Sequence, residues 1–444
     1  MSRDPCAQTL QPLAFVPDLS TINGPSYAGS RLNKNVRLLG VAAAVRLLGA
    51  AMVYPFLSLY LKNVVGLGYA EIGALLVLVA VLPLAVSPFG GLITDRAGRR
   101  KVFLAGLSGE AASVFLVAVS MRFELVAGVL LGGTMAGVAG SIAQPAIQAY
   151  VADMTDVKER TMAYTWVRIG FNVGFTLGVA AGGVLIGFVG YPDTALVTTG
   201  ILAGGVVFIL VMLDSSPYDA ARSKGSFLAG APRVASRPGS LRASLRILAA
   251  DRTFLVLCFA AVFSGLLYGN WGTTFILYSN TVLLVPTGIL GLALALNGVI
   301  VIFGQMPTTR VMTGRKHTYS AVLAVVLMGA SFVALGGISL VAGGALVAVF
   351  TFVVLLTIGE NLGAIPSMTL ASNVAPATEI GNYNGVFGMF NGIGSSISPL
   401  LGGLVLAYVA GPLAEWLILA IPCIPAILLF QWAGRRIPLA ANTV

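Results

Sequence analysis

Gly91-Leu92-Ile93-Thr94-Asp95-Arg96-Ala97-Gly98-Arg99-Arg100-Lys101 is the stretch from which the rest of the chain can be placed. One apolar run opens near Ala70 and leads into it, and another starts at Val102 and leaves it. Four basic residues, one acid and two glycines stand between them, too few to form a domain. In a chain this apolar, such a stretch is a tight loop on one face of a membrane.

The surrounding composition supports that reading. Of 444 residues, 57% are hydrophobic and 9% charged, whereas a soluble domain carries roughly 25% charge. Mean hydropathy is +0.93. The 54 glycines suit helices that pack through small side chains in lipid. This is an all-α polytopic membrane protein whose solvent is the lipid bilayer. The formal charge of +10 does not indicate a nucleic-acid partner, because the basic residues fall in loops between apolar runs. Cys6, Cys258 and Cys423 are far apart and His317 is the lone histidine, so neither a metal site nor a disulfide framework is readable. No G-x-x-x-x-G-K-[ST] loop is present, so ATP drive is not supported and no cofactor is expected. With no nucleophile–base pair either, the chain does not read as an enzyme.

Twelve spans are predicted, at 37–62, 70–93, 102–120, 125–150, 161–187, 194–213, 253–279, 286–308, 318–339, 341–366, 382–407 and 413–434. All but four of the 26 Lys and Arg residues then lie on one side. Lys62 and Arg122 are on the other side, and Arg46 and Arg168 are inside spans. That bias predicts a plasma (inner) membrane protein with both termini and the Asp95 turn in the cytoplasm. Residues 1–35 and 437–444 read as cytoplasmic tails, the first disordered. Residues 36–213 and 253–436 read as two six-helix bundles, joined by a basic cytoplasmic linker at 214–252.

The two bundles repeat one another. Gly98-Arg99-Arg100 recurs 216 residues later as Gly314-Arg315-Lys316. Gly174, Gly178, Gly182 and Gly183 recur 220 residues later as Gly394, Ser398, Gly402 and Gly403, and at that offset Asp153 matches Asn373. At Val311, the place matching Asp95, the acid is gone. Parallel repeats of this kind are the arrangement of secondary transporters, with the substrate between the halves.

From residue 36 to 436 the chain resembles the major facilitator superfamily. The motif G-x-x-x-D-R-x-G-R-R is carried by Gly91, Asp95, Arg96, Gly98, Arg99 and Arg100. Span 5 resembles the glycine motif of the antiporter branch, with Val179 in place of its proline. Pro55, Tyr60, Asn297, Gln305 and Gly359-Glu360 look like the twelve-span drug:proton antiporter group. Gly132-Gly133 stands where many proton-coupled members carry an arginine. The resemblance implies a two-bundle fold, alternating access, a monomeric chain, and a cytoplasmic latch built from the loops after spans 2 and 4. Here those loops offer Asp95 and Arg99 with Asp153, Lys158, Glu159 and Arg160, and Asp95 could also meet the positive end of a partner helix.

Ionisable residues within spans are costly, about 2.5–3.5 kcal/mol at the centre, and so are the first candidates for proton coupling. Glu360 lies well inside span 10 beside Asn361, where a carboxyl is expensive to keep charged. Arg46, deep in span 1, is the candidate to balance Glu360 or to hold an anionic ligand. Arg168 is expected to snorkel to the inner interface, and Glu110 to serve packing. Gln144, Gln148, Asn172, Tyr268, Asn270, Trp271, Asn297, Asn361 and Asn391 are expected to line the substrate cavity, with Tyr268 and Trp271 on one face of span 7. An aromatic pair with nearby amides suits a lipophilic, weakly polar ligand. The expected activity is export of small lipophilic compounds against protons. An importer of a sugar or small metabolite on the same fold is the alternative, and a non-transporting membrane scaffold the rival from another class.

Overall fold

The computed structural model describes residues 32–156, 159–219, 251–376 and 379–443. The expectations for residues 1–31, for 220–250 and for Lys158 lie outside the described residues.

Among the described residues twelve spans are present once the long helical stretch at Arg160–Met212 is divided, and their ends follow the local chemistry. Span 1 is Lys34–Val53 and Leu57–Asn63, with a short 3-10 turn at Tyr54–Phe56 where Pro55 removes a backbone donor. Spans 2, 3 and 4 are Tyr69–Ala97, Arg99–Arg122 and Val126–Met154. Spans 5 and 6 share the helical stretch Arg160–Met212, divided at Gly190, whose φ of +81° is open to glycine alone at little cost. Span 7 is Arg252–Gly269 and Thr274–Thr281, and span 8 is Thr287–Met312. Spans 9, 10 and 11 are His317–Ile338, Ala345–Val374 and Ile380–Tyr408. Span 12 is Pro412–Ala420 and Cys423–Arg436.

The halves repeat in space as they do in sequence. Span 1 packs on span 5, 3 on 4, 2 on 4 and 3 on 6; their counterparts 7 and 11, 9 and 10, 8 and 10, and 9 and 12 pack alike. Between the halves, span 2 meets span 11 and span 5 meets span 8. Glycine sets these distances. Gly170, Gly174, Gly178 and Gly182 recur every four residues on one face of span 5. A Cβ on any of them would sit well inside contact distance of the backbone oxygen of Gly40, Ala44, Leu48 or Met52 in turn. Small residues at i and i+4 let two backbones approach in lipid, where dispersion replaces the hydrophobic drive. Because the obstacle is backbone, it cannot rotate away. Gly174→Leu is therefore expected to leave no monodisperse protein after detergent extraction. A wild-type elution profile would show that span 1 can back away.

Two segments read as a tail and a linker end are ordered parts of the bundles. Leu439–Ala441 forms a short 3-10 turn that lays Asn442, fully buried, on the start of span 9. Ser216 is likewise fully buried beneath the first half.

The seam between the halves is closed at the end far from the Asp95 turn. There Asn63 donates to Asn280 at 2.8 Å, and the Tyr69 and Thr281 hydroxyls are 2.8 Å apart. A Cβ on Gly403 would strike Tyr69, and one on Gly73 would strike Pro399. Towards the Asp95 end, Gly381, Gly385 and Gly388 of span 11 have nothing within 4 Å of a notional Cβ.

Candidate functional site

Span 10 reaches Glu360 after an apolar stretch, and spans 7 and 8 supply its partners. The Tyr268 hydroxyl donates to Glu360 Oε1 at 3.3 Å. Asn297 Nδ2 donates to Glu360 Oε2 at 2.9 Å and lies 2.9 Å from Thr357 Oγ1. Asn361, one position on, turns to span 8 and donates to the Ile300 carbonyl at 3.2 Å. Glu360 is thus fixed by two donors from two different spans.

The carboxylate borders a cavity of about 330 Å³ lined wholly by the second half. Tyr268 and Asn391 share the lining with Ala324, Met328, Met368 and Phe387, so it is mostly apolar with one acid. Ser264, Ser367 and Asn384 also border it and were not singled out from the sequence. The signal existed: Ser264 is four residues before Tyr268, and Asn384 seven before Asn391, the spacings that share a helical face. Asn391 itself donates to the Ala261 carbonyl at 3.2 Å.

Span 7 corrects two expectations. The helix ends at Gly269 and restarts at Thr274, so the three-residue spacing of Tyr268 and Trp271 does not put them on one face. Trp271 instead stacks on Phe275 at 5.3 Å between ring centres, in a buried cluster with Phe352. Asn270 is buried at the break, donating to the Leu266 carbonyl and accepting from Thr274. Neither lines the cavity.

Arg46 has another partner. Its guanidinium forms a bidentate pair with Glu110 of span 3, at 2.6 to 2.9 Å, and donates to Gln144 Oε1 of span 4 at 3.2 Å. The side chains are only 10% and 6% exposed. A Cβ on Gly140 would lie 2.5 Å from Glu110 Oε1 and 2.6 Å from Arg46 Nη2, so span 4 has glycine where the pair passes. Glu110, expected to serve packing, is therefore one half of a buried ion pair. Arg168, on span 5, is exposed. Gln148 is exposed and Asn172 partly buried, both in the first half and away from the cavity.

The Asp95 turn is a cluster. Arg99 donates to Asp95 at 2.6 Å and to Asp153 at 3.1 Å. Arg100 reaches the Leu210 carbonyl at 2.8 Å, closing the end of span 6, and Arg160 donates to the Ala152 carbonyl at 3.3 Å. Arg96 is exposed, and nothing stands within 4 Å of a Cβ built on Gly91. The carboxylate on the N-terminus of span 3 is that of Asp219, from the chain after span 6.

Two six-helix halves with parallel topology, spans long and apolar enough to cross a bilayer, and a polar site deep within them define a multi-pass membrane protein of transporter architecture. The family model of the Major Facilitator Superfamily matches residues 39–399, and the chain belongs to that superfamily. It is 31% identical to "Multidrug resistance protein 2" of Bacillus subtilis (strain 168) over 144 residues, 32% of this chain and 35% of the relative. It is 27% identical to "Quinolone resistance protein NorA" of Staphylococcus aureus (strain Mu50 / ATCC 700699) over 154 residues, 35% of this chain and 39% of the relative. The match thus spans little more than a third of the length of these relatives. Among solved structures, a POT family transporter in complex with a thioalcohol conjugated peptide superposes with a TM-score of 0.74 at 12% identity, covering 91% of this chain and 98% of that one. A mutant of the nucleoside transporter NupG gives 0.72 at 14% identity, covering 90% and 100%. At such identities the likeness shows the fold.

Proposed function

We propose that this protein is a secondary transporter that exports small lipophilic compounds in exchange for protons by alternating access. The observation that carries the reading is Glu360, a single carboxylate held by Tyr268 and Asn297 at the edge of a largely apolar cavity. A deeply placed acid with neutral donors can take and release a proton, and apolar walls suit a lipophilic ligand. The drug-resistance names of the two relatives support the same substrate class. The basic loops support a plasma-membrane orientation with the Asp95 face, and both termini, in the cytoplasm. The seam, packed at the far end and open along Gly381, Gly385 and Gly388, then corresponds to a cytoplasm-facing state. The test is reconstitution in vesicles under an imposed pH gradient, with movement of a fluorescent lipophilic cation as readout. Movement indifferent to the gradient sinks the coupling.

In this reading the Asp95–Arg99–Asp153 cluster biases the two access states. Asp95 is 64% exposed, so its pair with Arg99 contributes only about 0.2–1 kcal/mol. Asp95→Asn is accordingly expected to change the balance of the states by about 1.4- to fivefold, read as the reactivity of a cysteine placed at Gly388. An unchanged rate leaves the cluster as a topology anchor.

A further inference from the structure

The chain just past span 6 enters the same cluster, and its role is not covered by the loop motif. Leu213–Asp219 turns back beneath the first half. The Ser216 hydroxyl donates to Asp153 Oδ2 at 3.2 Å and accepts from the Asp219 N–H at 3.2 Å, which fixes the course of the backbone. The Asp219 carboxylate then accepts from the N–H groups of Arg99 at 2.8 Å and Arg100 at 3.0 Å, the first two donors of span 3. Those donors have no partner within the helix, and a negative charge there is favoured by the helix dipole. Gly98 makes room twice over. Its φ is +100°, and a Cβ on it would lie 2.7 Å from Asp219 Oδ1. Tyr218 completes the contact, with its ring 4.2 Å from the Arg99 guanidinium and its hydroxyl donating to the Asp95 carbonyl at 3.1 Å.

The second half has the same construction without the charge. After span 12, the Asn442 backbone and side-chain oxygens accept from the N–H groups of His317 and Thr318 at 2.6 and 3.0 Å. Asn373, the counterpart of Asp153, donates to the Ala441 carbonyl at 3.0 Å. A returning segment on the third helix is thus common to both halves, while the carboxylate belongs to the half that keeps the Asp95–Arg99 pair. A neutral amide suffices to cap a helix. The acid therefore does something the cap does not need.

We propose that Asp219, with Tyr218, is a positioning residue of the access switch: the chain just past span 6 sets Arg99 between Asp95 and Asp153. The proposal rests on the switching role given to Asp95 above, and its test keeps the two separable. The full chain, with Cys6, Cys258 and Cys423 replaced by serine and Gly388→Cys as reporter, is placed in vesicles and its labelling rate by an impermeant maleimide is followed. Asp219→Asn keeps one of the two side-chain acceptors at the start of span 3. It is expected to hold the thermal midpoint near the parent's while moving the labelling rate about threefold in the same sense as Asp95→Asn. Because both act through Arg99, the double variant should change the rate by less than the product of the two single changes. A moved rate in Asp95→Asn with a parental rate in Asp219→Asn reduces Asp219 to a cap and overturns the proposal. Unmoved rates in both remove the switch reading, and the role of Asp219 with it. If Asp219→Asn fails to fold, Tyr218→Phe decides. It keeps the ring and the cap and loses only the bond to the Asp95 carbonyl, so a parental rate overturns the proposal and a shifted one supports it.

Discussion

Glu360→Gln is expected to abolish the link between transport and the pH gradient while leaving the protein folded. Glutamine is nearly isosteric: its carbonyl can accept from Asn297 while its amide donates to the Tyr268 hydroxyl, which turns to accept, so both partners of Glu360 stay hydrogen-bonded. What is lost is the ability to exchange a proton. For a one-for-one exchange of a proton and a monocation, a gradient of one pH unit sustains about tenfold accumulation, since tenfold corresponds to about 1.4 kcal/mol. In the variant the accumulation ratio should fall to about one at any gradient, with downhill movement still measurable. Tyr268→Phe removes only the longer of the two hydrogen bonds, so coupling should survive it with altered rates. A Glu360→Gln protein that still concentrates its substrate would place the proton elsewhere, and Glu110, buried in span 3, is another acid within the spans.

The parts of this molecule that follow from period and depth could be read from the chain. Glycines four residues apart on span 5, the duplicated basic turn and the matched offsets between the halves gave the architecture, because backbone approach and repetition leave marks in single segments. Glu360 was identifiable for a similar reason: an acid flanked by ten residues with no other charge has few uses. Partners were less legible. Arg46 and Glu110 lie at similar depths in spans 1 and 3, but depth alone does not say which spans adjoin, and Arg46 was assigned to the wrong acid. The placement of Trp271 failed because helical periodicity stops where the helix stops, and the break after Gly269 turns the ring into the stack on Phe275. Asp219 escaped notice because it sits in a polar segment whose sequence resembles any linker. Only the fold shows it returning to span 3.

The buried pair of Arg46 and Glu110 should show the opposite pattern to Glu360, with large effects on stability and small ones on coupling. Every oxygen and nitrogen that pairs in this site is engaged: Nε and Nη2 of Arg46 with Glu110, Nη1 with Gln144. Removing one partner strands the other charge among spans 1, 3 and 4, at a cost of about 3–5 kcal/mol. Removing both also removes the desolvation cost, and well-packed apolar replacements of similar volume are often neutral. Glu110→Met alone and Arg46→Met alone are thus expected to lower unfolding stability in mixed micelles by about 3–5 kcal/mol each, while the double variant falls within about 1 kcal/mol of the parent. Methionine is chosen because it is unbranched and can pass Gly140, where a Cβ would already strike both charged groups. If the pair is structural, the double variant should also retain gradient-driven transport. A double variant that is stable yet uncoupled would instead give Arg46 and Glu110 a share in proton movement, and Glu360 would then be one of two sites, one in each half.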